Sequence, residues 1–323
     1  MIMPDYSIFY RRPVNTNRIA QELPTFDIFV SAFNSSERVG NVFNEVRAKN
    51  KIWHIHPEYQ YSPIEEPTGF LKSQPALIDE VAQVEALLAV TGNLDGKNLC
   101  IDITGFMRHV LVFLVAKLAH MGIREFTALY SEPMHYSKQE ATIFSTTTSG
   151  VTRPIRGMAG SNTSQATDYL VIAAGYDHKL INQVTNHKDN LTVYPLFAFP
   201  SLSPDFYQQS AIRASQSGAV AMEGAWITNR RFAPANDPFS TANALHDIVD
   251  EINKNEARKN GKVANIYLSP LSTKVQALGF ALFWQLEGRA RGAVTLLLPE
   301  CLTYSRETSS GLKRLWTYTI ELG

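Results

Sequence analysis

The sequence predicts an α/β fold: mainly parallel sheet or sheets flanked by helices, Rossmann-like, with two pseudo-duplicate halves. Three observations lead there. Short apolar runs such as Leu99-Cys100-Ile101-Asp102-Ile103 close on Thr104-Gly105, a pattern that suits strands buried on both faces, because a one-sided strand would alternate with polar residues. Residues 106–121 are apolar nearly all the way round, with Arg108, His109, Lys117 and His120 as the strong interruptions, so this helix rests on a sheet with little of it in water. The same order recurs near the C-terminus, where Asn265-Ile266-Tyr267-Leu268-Ser269-Pro270 and Leu271-Ser272-Thr273-Lys274 lead into a helix over 275–287 and a strand over 293–298. Both copies read buried strand, hydroxyl-bearing turn, basic residue, apolar helix, strand and Pro/Glu pair. They are expected to be adjacent or pseudo-symmetric parts of one mainly parallel sheet.

Taken in order, residues 1–24 are mixed, and Arg11-Arg12-Pro13 reads as an arm. Residues 26–33 form a strand, after which Asn34-Ser35-Ser36-Glu37-Arg38 offers several capping side chains. Val39, Val42, Phe43 and Val46 then mark a helical stripe. Residues 51–56 return as a strand, 59–73 form a loop and 76–90 a helix. The strand that follows the helix of 106–121 ends at Leu129-Tyr130-Ser131-Glu132-Pro133. The Thr-, Ser- and Gly-rich stretch 144–160 reads as loop or short hairpin, long enough for a lid. Strands are expected at 168–174, 191–199 and 314–322, and helices at 206–215 and 240–259, the latter capped by Asn236 or Asp237. No Gly/Ser/Pro linker divides the chain, so the halves 1–160 and 161–323 read as one continuous unit.

Formal net charge is zero and pI about 7.1, so nothing global attracts nucleic acid or an acidic membrane, and direct DNA binding is not expected. Cys100 and Cys301, flanked by apolar residues, read as buried thiols in a reducing compartment, which excludes a disulfide framework or a cysteine-rich zinc site. Residues 1–12 lack the apolar core of a signal peptide, and the longest apolar run, 110–119, is broken by Lys117 and too short to span a bilayer. The expectation is a soluble, cytoplasmic protein without membrane association. Walker, Gly-x-Gly-x-x-Gly, Gly-x-Ser-x-Gly and His-Glu-x-x-His motifs are absent. His54 and His56 could present two imidazoles on one strand face, but the pattern suits a polar edge better, and no metal or cofactor is assigned.

What remains is a set of polar residues at expected strand ends. Ser31, Asn34, Thr104, Gly105, Arg108, Ser131, Gly175, Tyr176, Asp177, Asn236, Asp237, Ser272, Thr273 and Lys274 are the candidate ligand-binding residues. Each alone suits a helix cap, yet a parallel sheet delivers all its strand ends to one rim. Helix starts with Arg108 and Lys274 nearby would suit a phosphate. Asp102 and Glu132 would suit ribose hydroxyls or acid/base work and are the catalytic candidates if the protein is an enzyme.

Two short stretches carry resemblances. Phe26, Asp27, Phe29, Val30 and Ser31, followed by a polar turn, an amphipathic helix and a strand containing Trp53, resemble the opening of TIR domains. That resemblance implies a glutamate on a later helix, for which Glu80 and Glu85 are the nearby candidates, both read as solvent-facing. The turn Thr104-Gly105-Phe106-Met107-Arg108, with Ser272-Thr273-Lys274 in the second copy, resembles the ligand turn of CARF domains, Rossmann-like sensors of cyclic oligonucleotides. Together they imply a binding protein or regulatory subunit for a nucleotide-type anionic ligand in a bacterial defence or signalling system, acting through a protein partner or homo-oligomer. The alternative is a nucleotide- or NAD-processing hydrolase, a TIR-like N-glycosidase using Asp102 or Glu132. A scaffold built on the 11% aromatic content is disfavoured by the polar rim.

Overall fold

A computed structural model describes residues 4–136, 145–175, 177–202, 208, 210–212, 227–261, 263–306 and 309–323. The strands are β1 (Arg11–Val14), β2 (Phe26–Ala32), β3 (Ala48–His54), β4 (Leu71–Ser73), β5 (Leu99–Asp102), β6 (Glu125–Tyr136), β7 (Ser145–Pro154), β8 (Asp168–Ala174), β9 (Thr192–Ala198), β10 (Arg231–Ala233), β11 (Asn265–Pro270), β12 (Val294–Tyr304) and β13 (Ser309–Glu321). The helices are α1 (Ile19–Glu22), α2 (Glu37–Glu45), α3 (Glu80–Thr91), α4 (Arg108–His120), α5 (His178–Thr185), α6 (Pro238–Asn260) and α7 (Lys274–Leu286). The chain divides into two compact units, an N-terminal unit of residues 9–147 with 301–323, and a C-terminal unit of residues 148–300 with 1–8.

The N-terminal unit is built on the sheet β1-β13-β6-β5-β2-β3-β4. Strands β2 to β6 pair in parallel, while β13 runs antiparallel to β6 and β1 antiparallel to β13. The sheet of the C-terminal unit reads β10-β9-β8-β11-β12-β7, with parallel pairing from β10 through β12. Bonds at Thr146–Thr303 and Ile155–Leu296 advance in opposite directions along β7 and β12, so that pair is antiparallel. Strands β2, β3, β4, β5 and β6 therefore correspond in order to β8, β9, β10, β11 and β12, and β13 corresponds to β7. Helices α2, α3 and α4 correspond likewise to α5, α6 and α7. The sixth strand of one sheet comes from the chain's last residues; that of the other precedes its own first strand.

Burial follows the apolar patterning. All four residues of β5 and all six of β11 are buried, as two-sided coverage of a parallel strand requires. The stripe Val39, Val42, Phe43 and Val46 packs with Phe26, Phe29 and Trp53 in one cluster, and Phe43 stacks on Trp53 at 3.6 Å between centroids. Helix α7 buries residues Val275 through Gln285 without a break. Among the described residues no helix is long and apolar enough to cross a membrane.

Several expectations are corrected. The Asn98 and Asn265 copies lie at equivalent positions of two different sheets rather than in one, because β2 and β8 each recruit their own following strands. Residues 11–14 are an edge strand on β13 rather than an arm. Strand β6 continues past Pro133 to Tyr136, and 145–154 is a strand rather than a loop, since threonine-rich alternation suits a sheet edge. Cys100 is buried, but Cys301 is partly exposed, because the end of β12 leaves the core. Glu85 faces solvent as expected, whereas Glu80 is fully buried in the first turn of α3. The expected helix over 206–215 falls largely outside the described residues.

One contact recurs in both units. A Cβ on Gly105 would overlap the carbonyl oxygen of Ala32 at the end of β2, and a Cβ on Gly175, after β8, would overlap the carbonyl oxygen of Leu271, after β11. Gly105→Ala should lower stability by about 2–4 kcal/mol, because backbone, not a movable side chain, blocks the methyl group. Gly40→Ala, in α2 with nothing within 4 Å of the new Cβ, should raise it by ~0.5–1 kcal/mol. Urea unfolding of both variants checks the pair.

Candidate functional site

At the carboxyl edge of the N-terminal sheet, the last residue of β5 is a fully buried carboxylate. Asp102 Oδ1 accepts from the Thr104 amide (3.0 Å) and hydroxyl (2.6 Å), and Oδ2 accepts from the Ser31 hydroxyl (3.0 Å). The Thr104 hydroxyl in turn accepts from the Ser131 amide (3.0 Å) and lies 3.1 Å from the Ser131 hydroxyl. Burial raises the Asp102 pKa, opposed by these hydrogen bonds and by the charge of Arg38. Ser31, Asp102, Thr104 and Ser131 thus converge as the sequence suggested, but mainly on one another: both Asp102 oxygens are engaged by the chain itself. Gly105 holds the turn against β2, and Asn34 accepts the Ser36 amide at 2.9 Å, shaping the turn that starts α2.

Beside this network, the chain leaving β3 builds a second one. His56 Nε2 accepts the Met107 amide at 3.1 Å, so the start of α4 is capped by an imidazole rather than by its own N-cap side chain. The proton of His56 is therefore on Nδ1, which donates to Gln83 Oε1 at 2.6 Å. His54 Nε2 lies 3.3 Å from the same oxygen, and its Nδ1 lies 3.1 Å from the Ser73 hydroxyl. Gln83 Nε2 donates to Glu58 Oε1 (3.0 Å) and the Ile78 carbonyl (3.1 Å), while His109 Nε2 is 3.1 Å from both those acceptors. His54, His56, Glu58 and Gln83 are fully buried. The imidazoles are thus turned to an amide and a hydroxyl, and no group of three potential ligands able to hold a metal occurs among the described residues.

A third set closes the edge from the side of the last strand. Arg306 donates through Nε to the Tyr59 carbonyl (2.6 Å) and through Nη1 to Glu65 Oε1 (2.7 Å), and its Nη2 bonds the Gln60 carbonyl. Its guanidinium lies 4.5 Å from the Tyr61 ring centroid, and Tyr61 Oη accepts the Ser35 amide at 2.9 Å. The Tyr59 hydroxyl donates to the Gly105 carbonyl at 3.3 Å, and burial pushes its pKa well up.

The remaining candidates divide between the units. Glu132 is 1% exposed, accepts from Trp316 Nε1 at 2.6 Å and lies 3.9 Å from Arg314 Nη1. Arg108 is the first residue of α4 and Lys274 the first of α7. In the C-terminal unit, Asp177 caps α5 by accepting the Leu180 amide at 3.3 Å. Asp237 caps α6 through the Phe239 and Ser240 amides at 3.0 and 3.1 Å. Thr273 caps α7 by accepting the Gln276 amide (3.1 Å) and donates to the Ala235 carbonyl (2.8 Å), tying the segment of Asn236 to the start of α7. Ser272 is buried beside it, Gly175 supplies the close approach, and Tyr176 lies outside the described residues.

Sequence reasoning missed Arg38, Glu58, Gln83, His109 and Arg306. Arg38 had a usable signal, a cation two residues beyond Ser36 at a helix start; Gln83 and Arg306 had none, since their partners are far away in sequence. The chain matches no protein-family model and no curated protein.

Three substitutions test these networks. Asp102→Asn keeps the Thr104 bonds on its oxygen and can donate to Ser31, so it should fold and be as stable as the parent or more so at neutral pH. Asp102→Ala strands the donors and should cost roughly 2–4 kcal/mol in urea unfolding. Burial depresses the His54 pKa from 6.5 to about 4. The stabilisation from neutral His54 is present above pH 6.5 and lost as pH falls towards about 4, a loss of roughly 3 kcal/mol that a His54→Gln variant should not show in unfolding midpoints across that range.

Proposed function

We propose that the chain is a duplicated Rossmann-like binding protein, or a regulatory subunit, for a nucleotide-type anionic ligand. One observation carries this reading: the same reversal of strand order occurs in both sheets, and each is flanked by a long helix whose first residue is a cation. From β2 the chain builds outward through β3 and β4, and from β5 it builds the other way through β6. Doubly wound sheets bind ligands at the carboxyl ends of strands where such a reversal occurs. Helix α4 begins with Arg108 there, and α7 begins with Lys274 at the equivalent place of the second sheet. A helix N-terminus adds positive potential to each cation, which favours phosphate. The resemblance of the Thr104–Arg108 turn to the CARF ligand turn supports the same class of ligand, and a place in a defence or signalling system follows from it.

The hydrolase alternative has less support, because Asp102 has both oxygens hydrogen-bonded within the chain and Glu132 is buried against Trp316. Mass spectrometry of any small molecule retained through purification, followed by calorimetric titration with that class of compound, tests the binding reading. Arg108→Ala and Lys274→Ala should each weaken binding by about 1–3 kcal/mol. Unchanged affinity in both folded variants overturns the assignment of these cations. Sustained nucleotide hydrolysis that vanishes in Glu132→Gln favours the enzyme instead.

A further inference from the structure

Arg38 stands in the first turn of α2, a helix of nine residues, and is only 7% exposed. Its Nη1 donates to the Ser131 carbonyl, while its Nε is buried without a hydrogen-bond partner. A guanidinium that deeply buried ordinarily meets a carboxylate or another anion, yet Arg38 has no ion-pair partner among the described residues, and Asp102 acts on it only through longer-range charge. A second group at the same helix start has the same character. Ser309, also 7% exposed, has an unpartnered buried hydroxyl, and its carbonyl accepts from the hydroxyl of Ser36, the N-cap of α2, at 3.4 Å. The Ser36 side chain does not cap α2, so the positive end of this helix has no oxygen from its own N-cap residue.

We propose that the start of α2 is a phosphate subsite in which Arg38 supplies a guanidinium fork and Ser309 a hydroxyl. It takes a phosphate of the nucleotide-type ligand, and so rests on the reading above. A phosphate fits better than a single carboxylate, because it offers more acceptor oxygens to a guanidinium and a hydroxyl and its higher charge suits the dipole.

The test is calorimetric titration of the full chain with pyrophosphate and, in parallel, with ADP, at constant ionic strength. Arg38→Lys keeps the charge and removes the fork; Ser309→Ala removes a hydroxyl that makes no hydrogen bond, so its thermal melt should match the parent's. Arg38→Lys should weaken pyrophosphate binding about tenfold or more, and Ser309→Ala about threefold or more, as losing charge-assisted and neutral hydrogen bonds respectively implies. Equal binding of pyrophosphate and ADP by parent and both variants overturns the subsite while leaving the ligand-binding reading intact. A lowered melt for Arg38→Lys with unchanged binding makes Arg38 a packing residue and also overturns it. Failure of the parent to bind either compound overturns the subsite together with the nucleotide reading.

Discussion

A carboxylate that is fully buried must be satisfied by the chain. Asp102 is in that position, and its three hydrogen bonds from Ser31 and Thr104 tie the ends of β2 and β5 to one turn. Ser131 extends the tie to β6. The path of the chain into α4, the approach of Gly105 to Ala32 and the Tyr59 bond to the Gly105 carbonyl all depend on that turn being held. The carboxylate therefore shapes the rim, and the groups left for a ligand are those it does not engage.

The two units solve the same topological problem with different chemistry. Asp79 caps α3 through the Val81 and Ala82 amides, as Asp237 caps α6 through Phe239 and Ser240. The close approach between the first and fourth strand ends is kept in both, but the glycine moves from one partner to the other, Gly105 in one and Gly175 in the other. Where the C-terminal unit ties its crossing segment with Thr273, the N-terminal unit uses buried imidazoles, Gln83 and Glu58. Such a network is rigid only when every member is paired. Its one unpartnered atom, Glu58 Oε2, lies 4.0 Å from His56 Nδ1.

Much of the rim was legible because capping and turn chemistry are local. Ser31, Thr104, Ser131, Asp177, Asp237 and Thr273 are hydroxyls and carboxylates at strand ends, and each engages an amide or hydroxyl as such residues do, except Ser31, whose hydroxyl donates to the Asp102 carboxylate. The histidine pair read as a polar edge because period-two alternation reports which residues share a face, not whether that face is covered. Covering it required α3 to deliver Gln83, twenty-seven residues after His56.

The sequence by itself determined the class of fold, the elements with strong apolar periodicity and the duplicated strand, turn and helix order, because these follow from local propensity and from burial patterns written along the chain. Tertiary structure alone decided how the strands were shared. Residues 309–321 pair with β6 and residues 145–154 lie beside β12, and nothing local distinguishes these strands from others of similar composition. Pairing partners are chosen by which edge remains open once the neighbouring strands are in place. The same holds for Arg38, whose guanidinium meets the carbonyl of Ser131, a residue distant in sequence and brought to it only by the folded sheet.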